Sequence, residues 1–118
     1  MKTYLHIHHL TPGKEENKII SLLNSDGILK KYSLEGKAKD GNSIQVYIGD
    51  FNDGCIEKEI KDVLSVLSNS TLKEIEKLDL DISIRLNIEG SCATFSPTLL
   101  SLAGQKGVEL YVSNWQNV

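Results

Sequence analysis

The clearest pattern in the chain is the alternation of Ile82, Ile84, Leu86 and Ile88 with Ser83, Arg85, Asn87 and Glu89. That is the period of a strand with one face buried and the other wet. Ser96 and Pro97 follow as N-cap and first position of a helix carrying Leu99, Leu100, Leu102 and Ala103, with Gly104 or Gly107 to close it. A last strand then sends Val108, Leu110 and Val112 one way and Glu109, Tyr111, Ser113 and Trp115 the other. Its polar face therefore carries aromatic side chains.

Upstream, Thr3 to Leu10 alternates and is rich in β-formers, which predicts a first strand. Thr11 and Pro12 start a helix with Glu15 and Glu16 in its first turn and Ile19, Ile20, Leu22 and Leu23 as its apolar side, ending at Asp26-Gly27. Ile28 to Lys39 and Ser43 to Phe51 read as two strands joined by the turn Lys39-Asp40-Gly41-Asn42, because Asp-Gly between extended runs favours a hairpin. The second of them buries Ile44, Val46 and Ile48 and leaves Gln45 and Tyr47 on the other face. Asn52-Asp53-Gly54 opens the longest helix, whose Ile56, Ile60, Val63, Leu64 and Leu67 form one apolar stripe. Thr71 with Glu74 fits a capping box starting a short helix through Leu72, Ile75 and Leu78.

The resulting order is β-α-β-β-α-β-α-β, and its first six elements match the split βαβ arrangement of ferredoxin-like folds. One-sided strands predict helices on one face only, since a sheet covered on both faces shows continuous apolar runs. The expected architecture is a single α+β domain over residues 1–118, with one antiparallel-dominated sheet and helices packed on one face. A chain of 118 residues is large enough for a real core and too small for two domains.

Charge and cysteine usage narrow the function classes. A formal net charge of −3 argues against nucleic acid as partner, which calls for a basic surface. No apolar run approaches the roughly 18 residues that span a bilayer, so no membrane partner is expected. Met1 to Leu10 lacks the long apolar core of a signal peptide, and Cys55 and Cys92 form no CxxC pair. The expected location is the cytoplasm, with both thiols as small buried residues.

Candidate chemistry is sparse. His6 and His8 sit two apart on a strand, on the order of 7 Å from each other on one face, which suits a bridging ion. A zinc site needs further ligands, and no HExxH, CxxC or spaced His/Cys set supplies them, so no metal and no cofactor are expected. No serine lies in a GxSxG elbow, Cys55 has no nearby histidine in sequence, and no pair of carboxylates stands out for acid/base work. No catalytic residue is assigned, and the chain is read as a non-enzyme. Asp50 to Asp62 holds five carboxylates against Lys58 and Lys61, and Glu74 to Glu89 holds five against Lys77 and Arg85, whereas Lys30 to Asp40 is lysine-rich. Acidic patches of that kind steer a basic partner, although i,i+4 pairs such as Glu57 and Lys61 also suit a solvated helix face. Tyr47, Tyr111 and Trp115 on the wet face suit protein contact, because Tyr and Trp are enriched in interface hot spots. The candidate partner-binding set is Tyr47, Asp50, Asp53, Glu57, Tyr111 and Trp115.

Residues 52 to 115, with the leucine-rich helix, the one-sided strand, Phe95-Ser96-Pro97-Thr98-Leu99-Leu100-Ser101-Leu102-Ala103 and Val108-Glu109-Leu110-Tyr111-Val112, resemble small bacterial α/β proteins that act as immunity partners of polymorphic toxins. Those of contact-dependent growth inhibition are among them. The resemblance implies a cytoplasmic protein that binds and blocks a cognate toxin domain, often a basic nuclease. Two alternatives stand beside it: a small-molecule-binding regulatory domain of ferredoxin-like type, and a metalloenzyme using the histidine strand.

Overall fold

Strand β1 (Lys2–His8) lies at the centre of the sheet, paired antiparallel on one side with β3 (Ser43–Asp50) and on the other with β4 (Asp81–Asn87). The computed structural model describes residues 1–8, 14–37, 43–88, 90 and 92–114. Strand β2 (Ser33–Lys37) pairs antiparallel with β3, and β5 (Glu109–Ser113) pairs parallel with β4, which gives the order β2-β3-β1-β4-β5. The sheet is therefore mixed. Its first four strands are antiparallel throughout, and the last is parallel because a helix carries the chain back before it pairs.

The helices are α1 (Lys14–Ser25), α2 (Ile28–Lys31), α3 (Asp53–Val66), α4 (Asn69–Lys77) and α5 (Pro97–Lys106). The three central strands, β3, β1 and β4, each contribute every second residue to one core. Leu5 and Ile7 of β1, Ile44, Val46 and Ile48 of β3 and Ile82, Ile84 and Leu86 of β4 form a single buried cluster with Ile19, Leu23, Ile28, Leu99 and Ala103 from the helices. Helix α3 supplies the middle of that cluster. Its predicted stripe of Ile56, Ile60, Val63 and Leu64, with Leu67 just beyond its end, is buried as the spacing requires.

Three local expectations change. Residues 28–31 form a helix, and the strand begins only at Ser33. Ile28 and Leu29 are adjacent apolar residues followed by two lysines, a pattern with no period of two, and Gly27 at φ 83° turns the chain straight from α1 into this single turn. Helix α4 starts earlier than the Thr71–Glu74 box implies, because Ser68 is its N-cap and accepts from the Thr71 amide at 3.1 Å. Ser68 is held there from outside, its own amide donating to Asp26 Oδ2 at 3.0 Å. The sheet is also less uniformly antiparallel than expected, since β5 runs parallel to its neighbour.

Helix α5 follows the sequence closely. Ser96 Oγ accepts from the Leu99 amide at 3.2 Å, Pro97 occupies the first turn, and Gly107 ends the helix in a left-handed conformation. The predicted Thr11-Pro12 helix start, the Lys39–Asn42 turn and the ends of the first and fourth strands at His9, Leu10 and Glu89 lie outside the described residues. No helix among the described residues is long and apolar enough to cross a membrane.

Candidate interaction face

The residues that point away from the core form a second, polar face on the same sheet. Strand pairing places Ser33, Tyr47, Tyr4, Arg85 and Tyr111 side by side in one row that crosses all five strands. Tyr4 stands opposite Tyr47 in the register that continues to His8 and Ser43, and an irregularity between Thr3 and Tyr4 shifts only the Lys2 and Thr3 pairs by one residue. The two rings pack at 5.5 Å between centroids with a 54° tilt, a favourable aromatic geometry. On the other side of the row, the Arg85 guanidinium sits 4.9 Å from the centroid of the Tyr111 ring, in cation–π contact.

The next row along the strands holds Gln45, His6, Ser83 and Glu109, and the one after it Ser43, His8 and Asp81. Arg85 ties the rows together. Its Nε lies 3.4 Å from Ser83 Oγ, and its terminal nitrogen contacts His8 Nε2. A guanidinium has only donors, so in that contact the imidazole nitrogen accepts. The His6 and His8 rings meet edge to face with centroids 3.6 Å apart, and His6 and Ser83 are buried. Arg85 is thus laid flat along the face, with its charge spread between an aromatic ring and a histidine.

The acidic members of the sequence-nominated set are held elsewhere and are occupied. Asp50, at the end of β3, accepts from the amino terminus of Met1 at 2.8 Å, and its side chain is 61% exposed. That hydrogen bond, reinforced by the charge of the ammonium, keeps its carboxyl below the ordinary aspartate range. Asp53, in the first turn of α3, accepts from the Thr94 amide at 3.2 Å. Glu57, one turn further, accepts from the Ser96 amide at 2.5 Å, and Lys61 lies 3.7 Å away. Hydrogen bonding from Ser96 lowers the Glu57 pKa, with Lys61 acting in the same direction. Asp53 and Glu57 therefore fasten the segment leading into α5 to the start of α3.

Of the six nominated residues, Tyr47 and Tyr111 share the face and the row, while Asp53 and Glu57 belong to the helix layer. Trp115 lies outside the described residues. Tyr4 and Arg85, which complete the row, were not nominated from sequence. Their alternation with Leu5 and Ile84 marks them as outward-facing, but only strand register shows that they stand between the two nominated tyrosines.

Among the described residues no group of three His, Cys, Asp or Glu side chains is placed to hold a metal ion. Cys55 and Cys92 are both exposed free thiols, which corrects the expectation that they are buried. A cleft of about 480 Å³ lies between α4 and the end of α5, where Lys73 and Lys106 stand among Glu76 and Asp79. Among the described residues its lining includes no serine, cysteine or histidine. The chain matches no known family model, no curated protein and no solved structure.

Proposed function

We propose that this protein is a cytoplasmic immunity protein that binds a cognate toxin domain one to one and neutralises it, with the polar sheet face as the contact surface. The observation that carries this reading is the row Tyr47, Tyr4, Arg85 and Tyr111 on that face. Tyrosine and arginine are the side chains that dominate interface energetics. Here the strands and the mutual ring contacts already restrict their rotamers, so less freedom is lost when a partner docks. The acidic surplus of the chain favours a basic partner, and the resemblance of residues 52–115 to toxin-immunity proteins points to a nuclease-type domain of a contact-dependent system. In this reading the protein acts by binding and performs no catalysis.

The test is protection of cells that produce the toxin encoded beside this protein, combined with binding kinetics. Tyr47→Ala and Arg85→Ala should each weaken binding by about 2 kcal/mol or more, roughly thirty-fold, mainly through faster dissociation. Asp50→Lys should act mainly on the association rate and its salt dependence. Absence of protection by the parent protein refutes the immunity reading. Protection with unchanged kinetics in Tyr47→Ala and Arg85→Ala refutes the choice of face.

A further inference from the structure

We infer that β5 is a self-pairing edge: two copies of this chain join β5 to β5 about a two-fold axis through Tyr111, forming one continuous ten-stranded sheet. Among the described residues β5 has a neighbour on one side only. Its Tyr111 and Val112 are 52% and 43% exposed, two of the few large apolar side chains left open to water. This goes beyond the toxin-binding reading and does not depend on it.

The backbone directions follow from one bond. The Ile88 amide donates to the Ser113 carbonyl at 2.9 Å, so the polar groups of Ser113 point toward β4. Successive residues of a strand point their amide and carbonyl to opposite sides, which leaves those of Leu110 and Val112 directed outward from the sheet. Antiparallel pairing centred on Tyr111 uses the whole strand and sets Leu110 against Val112 of the second copy. Both then exchange backbone hydrogen bonds, with their apolar side chains meeting on the core side. Tyr111 falls opposite Tyr111 on the polar face, and Glu109 falls opposite Ser113 rather than a like charge. The interface is isologous and closes after two copies. The row of tyrosines and arginine would then run uninterrupted across both protomers.

The opposite edge of the sheet differs in the ways that block such pairing. Centred on its own middle residue, β2 would set Glu35 against Glu35, and its register with β3 is already broken between Leu34 and Gly36. Charge and irregular register are recognised protections of an exposed edge. Strand β5 has no proline, no lysine and no bulge. It is the edge left able to pair.

The experiment is sedimentation equilibrium of the full chain over a range of concentrations, with two kinds of variant. The parent should approach the mass of two chains as concentration rises. Val112→Lys, which places a charge in the seam, should stay at the mass of one chain at every concentration while melting near the parent temperature. In a Cys55→Ser, Cys92→Ser background, Tyr111→Cys should form an intermolecular disulfide on mild oxidation. Directly opposed non-hydrogen-bonded residues have Cα atoms about 4.5 Å apart, within the disulfide range. Glu109→Cys should not crosslink, because the two copies of that residue would be roughly 13 Å apart along the strands. A parent that stays monomeric throughout overturns the inference, as does a dimer that Val112→Lys leaves intact. A monomeric parent whose toxin binding is lost in Val112→Lys would also overturn it, and would assign the edge to a strand of the toxin.

Discussion

Replacing Lys106 by Met should loosen the junction between α3 and α5 more than a surface lysine would. The last carbonyls of a helix have no partner within it, and Leu64 is one of these in α3. Lys106, at the end of α5, reaches back across the layer. Its ammonium donates to the Leu64 carbonyl, and to the Leu67 carbonyl at 3.1 Å. Hydrogen bonds from a charged donor contribute about 1.5–3 kcal/mol net, and a cation at a helix C-terminus adds about 0.3–1 kcal/mol. Lys106 is only partly buried, so water replaces some of what is lost, and a total near 2 kcal/mol is expected. For a domain of this size that corresponds to a fall in melting temperature of about 8 °C. Met keeps the length and most of the volume of the aliphatic stem, which confines the change to the ammonium. The assay is urea denaturation followed by far-UV circular dichroism, with Lys77→Met as control because Lys77 is exposed. A Lys106→Met midpoint equal to that of Lys77→Met would refute the capping role.

Leu64→Asp should abolish the folded state: the side chain, in the last turn of α3, is fully buried, its loss alone costs about 2–5 kcal/mol, and an unpaired buried charge adds several more against a typical total of 5–15 kcal/mol. Cooperative melting of that variant near the parent temperature would show that α3 does not pack as described. Acid should weaken the fold through Asp50 and Glu57, whose folded pKa values lie below their ordinary ones. The stabilisation of such groups is complete above the ordinary carboxylate range and is lost as pH falls through the lowered folded values. Asp50→Asn and Glu57→Gln should therefore each flatten the decline in unfolding free energy on the acid side, measured by denaturant titration across pH, and parallel curves for parent and variants would count against the assignment.

Much of the architecture was legible in the chain because the signals are local. Alternation in β1, β3 and β4, the four-residue spacing of Ile56, Ile60 and Leu64, and the Ser96-Pro97 start of α5 each depend on neighbours a few residues away. So does the outward direction of Tyr47 and Tyr111, which follows from the two-residue period of a strand. Other misreadings arose where a distant partner decides. Ser68 caps α4 in place of the Thr71–Glu74 box because Asp26, forty-two residues earlier, holds its amide. Asp53 and Glu57 read as free surface charge in the sequence, yet they receive the Thr94 and Ser96 amides from across the fold. The same holds for the candidate site. The sequence by itself determined which side chains leave the core, since that depends only on parity along each strand. Tertiary structure alone decided that Tyr47, Tyr4, Arg85 and Tyr111 stand in one row and that, among the described residues, β5 pairs on one side only. Register and strand order are set by contacts between segments far apart in the chain, and a one-residue bulge between Thr3 and Tyr4 is enough to change which residues meet.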